Sequence, residues 1–126
     1  MSTDCYRQAR AQVTPHGRDL ERRLLDEVNR KLRAANSEDM GGVALLHEAL
    51  RLNRNLWMSF AVDLASPQNG YTDEMKASLL SLAAYVEANS AKAVHDETVR
   101  ASLIEINGII ADGLAPQGSA SGTRAA

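Results

Sequence analysis

Apolar residues recur along this chain at intervals of three and four, and the longest such run is 45–64, LLHEALRLNRNLWMSFAVDL. At about 100° per residue, Leu46, Ala49, Leu50, Asn53, Trp57, Phe60 and Leu64 share one stripe, with Leu45, Leu52 and Leu56 in a row beside it. His47, Glu48, Arg51, Arg54 and Asn55 take the remaining face. The two rows together cover roughly half the circumference, more than the ~100° stripe of an ordinary surface helix. A helix this apolar needs neighbours on two sides. The pattern predicts a central helix over about 43–65, ended by Ser66-Pro67 because proline disfavours helical geometry in the residue before it.

The flanking segments carry the same periodicity. Leu20, Leu24, Leu25, Val28 and Leu32 predict a helix over roughly 15–35, started by Thr14-Pro15, a good cap followed by a residue suited to the first turn. The stretch 36–42, ending in Gly41-Gly42, reads as a connection. Thr72, with Asp73 and Glu74 behind it, reads as the start of a third helix. Its core stripe is Met75, Leu79, Leu82 and Val86, and it is expected to run to about 92–94. A small-residue strip lies on its other side: Ala77, Leu80, Ala84, Ala88 and Ala91. Asp96 reads as the cap of a fourth helix with the stripe Val99, Leu103, Ile106, Ile110 and Leu114, Asn107 at its edge and Gly113 as a C-terminal cap. Nothing alternates like a strand. The expected fold is all-α, an antiparallel bundle of about four amphipathic helices over 14–114, with a flexible or short helical lead-in at 1–13 and a disordered Gly/Ser/Ala tail at 115–126.

Composition narrows the class without changing the fold. The chain has 126 residues and one cysteine, Cys5, so no intrachain disulfide is possible. Neither a secretory signal nor a run of ~18 apolar residues is present, and the expected location is cytoplasmic. The net charge is −2. Residues 1–55 carry ten Lys/Arg against eight Asp/Glu, and 56–126 carry four against eight. That mild polarity falls far short of a nucleic-acid footprint. His16, His47 and His95 lack metal-ligand spacing, no phosphate loop or H-E-x-x-H is present, and nothing activates Cys5. No enzyme, cofactor or metal is indicated.

Two stretches go beyond generic helix. LHEALRLNRNLWMSF at 46–60 and LIEINGIIADGL at 103–114 together resemble the FlaF family of flagellar biosynthesis proteins. Leu46, Ala49, Leu50, Asn53, Leu56 and Trp57 match one family motif; Ile106, Asn107, Ile110, Gly113 and Leu114 match the other. The chain departs from the pattern at Gly108, where a larger or charged residue is more usual, and over 87–95, where larger apolar residues are. The resemblance implies a non-enzymatic role as a flagellin-binding chaperone or adaptor in flagellin synthesis and secretion, acting with the translational regulator FlbT.

The residues leave several readings open. Trp57 and Phe60 are core or the lining of a partner groove. Asn53 and Asn107 pair with each other or with backbone, or recognise a bound peptide, since a buried amide left unpaired costs roughly 1–3 kcal/mol. Leu80, Ala84 and Ala88 are covered by the N-terminal segment or form an exposed surface for an amphipathic helix. These seven residues are the candidate contacts for flagellin. An alternative role, contact with flagellin mRNA through Arg18, Arg22 and Arg23, is disfavoured by the acids interleaved among them.

Overall fold

A computed structural model describes residues 14–35 and 38–113, with side chains from residue 19 onward. The lead-in at 1–13 and the tail at 115–126 lie outside the described residues, as do Leu114 and the side chains of Thr14, Pro15 and Arg18. Among the described residues four α-helices follow in order: α1 Thr14–Ala34, α2 Met40–Leu64, α3 Asp73–Asn89 and α4 Glu97–Gly113, with a 3-10 turn, Lys92–Val94, between α3 and α4. None of the described helices is long and apolar enough to cross a membrane.

Local chemistry sets the boundaries. Asp39 caps α2 by accepting from the backbone N–H of Gly42 at 2.6 Å, so helical geometry begins at Met40. Gly41 and Gly42 therefore lie in the first turn of α2, where the sequence suggests a connection. Thr72 caps α3 through Met75 N–H, and Asp96 caps α4 through Thr98 and Val99 N–H, both as expected. α3 is shorter than its pattern predicts. Ser90 Oγ donates to the Val86 carbonyl, and after Asn89 the chain tightens into the 3-10 turn, so Ala91 falls beyond the helix. Gly113 is helical, without the positive φ of a glycine cap.

The helices run alternately up and down. Asn29 of α1 meets Asn107 of α4, while Glu21 and Ile110 line one hollow nearer the other end. Arg54 of α2 pairs with Glu87 of α3, while Leu64 and Leu79 share that same hollow. Tyr85 of α3 bonds Ser102 of α4. Each pairing is antiparallel, as short connections require.

The core follows the predicted stripes with a rotation in three of them. Leu46, Ala49, Leu50, Asn53, Trp57 and Leu64 are buried, and Phe60, Leu52 and Leu56 are half-buried, but Leu45 is exposed. On α1, Leu25, Val28 and Leu32 are buried while Leu20 and Leu24 face outward, because Asn29 rather than Leu24 completes the inward stripe. On α3, Met75 is exposed and Ala83 is buried. On α4 the buried residues are Arg100, Leu103, Asn107 and Ala111, which moves Asn107 from the edge of the stripe to its middle. Each fully buried Leu, Val or Trp here is worth on the order of 1.5–3 kcal/mol or more of transfer free energy.

The segment 87–95, poor in large apolar residues, packs by small ones. Ala93 is fully buried and Val94 and Ser90 nearly so, closing the end of the core against α2 and α4. Gly108, the other departure from the family pattern, is not required by space. A Cβ there would meet Asn29 Nδ2 at 3.9 Å, an ordinary contact.

Candidate functional site

Three helices each contribute an asparagine to one buried point. Asn29 stands four residues after Leu25 and three before Leu32 on the inward stripe of α1; Asn53 is in the middle of α2; Asn107 is in the middle of α4. Asn107 Nδ2 donates to Asn53 Oδ1 at 2.6 Å and to Asn29 Oδ1 at 3.0 Å. Its Oδ1 accepts from Trp57 Nε1 at 2.8 Å. Asn29 Nδ2 in turn donates to the Ile104 carbonyl at 3.0 Å. Asn53 Nδ2 alone has no partner. In surroundings of low polarity such bonds are strong, and a group left out is costly.

The structure thus brings Asn53, Trp57 and Asn107 together, each 0% exposed. They join the helices from within, and a partner meeting the closed bundle does not reach them. Phe60 belongs to the same cluster, its ring packed edge-on against Trp57 at 5.4 Å and 88°. It is only half-buried and lines a hollow of about 20 Å³ with Glu21, Asp63, Leu64, Tyr71, Leu79 and Ile110, room for about one water-sized group. Leu80, Ala84 and Ala88 are exposed on the outer side of α3, apart from this cluster. Asn29 escaped the sequence reading, although its 3/4 spacing from Leu25 and Leu32 carried the signal.

Arg100 was also missed. It is buried, and its guanidinium donates to the carbonyls of Ala93 at 3.1 Å and Val94 at 3.2 Å. It satisfies backbone groups that the 3-10 turn leaves over.

The arginines of the RNA reading are engaged. Arg22 pairs with Asp19 and Asp26, and Arg23 with Asp19 at 3.1 Å; Arg18 lies outside the described side chains. Elsewhere Arg51 holds Glu48, and Arg54 binds Glu87 through two bonds of 2.6 and 2.8 Å. The hydrogen bonds from Arg51 and Arg54 hold the carboxyls of Glu48 and Glu87 below the usual glutamate range, and the arginines are raised in return. Among the described residues no group of His, Cys, Asp and Glu is placed to hold a metal ion.

The geometry defines an all-α bundle joined by a buried amide–indole cluster, with apolar side chains left on its outside. The family model of the flagellar protein FlaF matches residues 2–114. The chain belongs to the FlaF family of flagellar proteins, and its stretches 46–60 and 103–114 converge on this cluster through Asn53, Trp57 and Asn107. No curated protein and no solved structure matches the chain.

Proposed function

We propose that this FlaF-family protein is a non-catalytic, cytoplasmic flagellin-binding chaperone or adaptor. It captures unassembled flagellin through one of flagellin's amphipathic segments, which promotes flagellin synthesis and export. The observation that carries the reading is membership of a flagellar family over nearly the whole helical region. The surface is compatible with it: with the core closed, Leu45, Val62, Tyr85 and Ile109 remain exposed and are available to an apolar segment.

Binding in this mode draws on apolar burial at about 25 cal/mol per Å², much of it offset by ordering the captured segment. Isothermal titration of purified flagellin into the full chain tests the reading. The expected result is one-to-one binding at micromolar concentrations or tighter, with a negative heat-capacity change. A flat titration at those concentrations overturns it.

A further inference from the structure

The bundle is not equally tight all round. α1 packs closely on α4 and on α2, and α2 on α3, whereas α3 and α4 approach each other at few points. Among the described residues the side-chain hydrogen bond across this last pair is Tyr85 Oη with Ser102 Oγ at 2.8 Å. That bond also fixes the register. One turn further, toward the start of α3 and the end of α4, this register puts Leu82 level with Ile106, and beyond them Ser78 level with Ile109, with Met75 about one turn past it. Leu82 and Ile106 are half-buried and packed against the core. Met75, Tyr85 and Ile109 are 46%, 37% and 60% exposed. The seam is latched at one end and open and apolar at the other, the shape that receives a helix laid into a groove.

Charge says which helix. On α1 and α2, Asp19, Asp26, Glu27 and Glu48 each have an arginine partner. On α4, Glu97, Glu105 and Asp112 have no ion pair among the described residues, and the helix's one cation, Arg100, is buried on backbone carbonyls. Glu105 and Asp112 stand four residues before and three after Ile109, so they flank it on the helix surface; both are exposed. The open end of the seam is an apolar stripe beside carboxylates that have no ion pair among the described residues.

We propose that the seam between α3 and α4 is the docking groove for an amphipathic partner helix whose apolar stripe is bordered by Lys or Arg. The inference rests on the flagellin-binding reading, and places the contact on the inner edge of α3 rather than on its outer strip of Leu80, Ala84 and Ala88.

Purified flagellin is titrated into the full-length protein, into Ile109→Glu, into the double variant Glu105→Gln with Asp112→Asn, and into Leu80→Glu on the outer strip. All four positions are exposed, and far-ultraviolet circular dichroism checks that each variant is helical. Ile109→Glu should weaken binding at least about tenfold, the double variant should flatten its salt dependence, and Leu80→Glu should bind like the parent. Parent-like affinity in Ile109→Glu, or a loss confined to Leu80→Glu, overturns the seam and leaves the flagellin reading standing. No binding by the parent overturns both.

Discussion

Trp57 and Asn107 lie fifty residues apart in sequence and are joined by a 2.8 Å hydrogen bond from indole N–H to amide oxygen, with neither side chain touching solvent. Three bonds meet on Asn107. One amide ties α4 to α2 twice, through Trp57 and Asn53, and to α1 once, through Asn29. Sliding or rotating α4 by one residue would carry Asn107 about 100° around the helix axis and break all three. The cluster therefore fixes the register of three helices that apolar packing alone would leave more permissive.

Replacing Asn107 by Ala removes the shared partner and strands the Trp57 donor and the Asn53 and Asn29 acceptors in the core. A single buried group left unpaired costs about 1–3 kcal/mol, and a small cavity adds to it. The expected loss is about 3 kcal/mol or more, a fall in Tm of roughly 10 °C for a domain of this size. Thermal unfolding followed by circular dichroism measures it, and a melt within two or three degrees of the parent would refute the hub.

Asn53→Leu should be the mildest change in the cluster. Asn53 Nδ2 already lacks a partner, so the substitution removes a buried unsatisfied donor together with an acceptor. Of the two Asn107 Nδ2 hydrogens, one keeps Asn29 and the other loses its acceptor, so one unpaired donor replaces another. The expected cost is under about 1.5 kcal/mol, well below that of Asn107→Ala. If the two variants melt together, the asymmetry read from the bonding pattern is wrong.

The helices and their order were legible because a 3.6-residue apolar period survives whatever the helices pack against. The rotation of each stripe was less so. Leu24 stands four residues before Val28 and Asn29 four after Leu25, so either fits the stripe, and hydrophobicity favours Leu24. Asn29 faces inward instead because Asn107 and the Ile104 carbonyl are there to satisfy it, and one helix's pattern contains no sign of a partner 78 residues away. Arg100 escaped for the same reason: its partners are carbonyls of a 3-10 turn that the residue pattern of 87–95 does not announce. The alanine strip of α3 was legible as a strip. That the opposite edge of α3 is loosely closed against α4 is a matter of interhelix distance, which no periodicity encodes.

Gly108→Ala should stabilise the protein. Gly108 is inside α4, its φ is not positive, and an added Cβ meets only Asn29 Nδ2 at van der Waals distance. The gain comes from a less flexible unfolded chain and amounts to about 0.5–1 kcal/mol. Chemical denaturation should show a higher midpoint at unchanged slope; a lower midpoint would mean that the Asn29 amide cannot tolerate the methyl.

Acid should weaken the α2–α3 contact selectively. The Arg54 hydrogen bonds lower the carboxyl of Glu87 from its ordinary 4.5, as Arg51 lowers that of Glu48. A carboxylate depressed in the folded state adds stability above its unfolded pKa, and that contribution is lost as pH falls through the lower, folded value. Comparing Tm of the parent and Glu87→Gln from neutral pH downward, the parent should lead at neutral pH and converge with the variant below the ordinary glutamate range. The lead is small because the pair is solvated, and added salt should shrink it. A gap that widens in acid would contradict the assignment.

Arg100→Lys is the sharpest test of the small-residue end of the bundle. Arg100 sends Nε to the Ala93 carbonyl and Nη2 to that of Val94 from a buried position, two directed bonds from one planar group. Lysine keeps the charge but offers a single ammonium, which cannot span both carbonyls with the same geometry and is harder to desolvate. The expected cost is about 1–3 kcal/mol, and the change should be local. Amide hydrogen exchange should quicken in the 3-10 turn and the first turn of α4, ahead of the Trp57 region. If exchange quickens uniformly, Arg100 supports the whole core and not the turn alone.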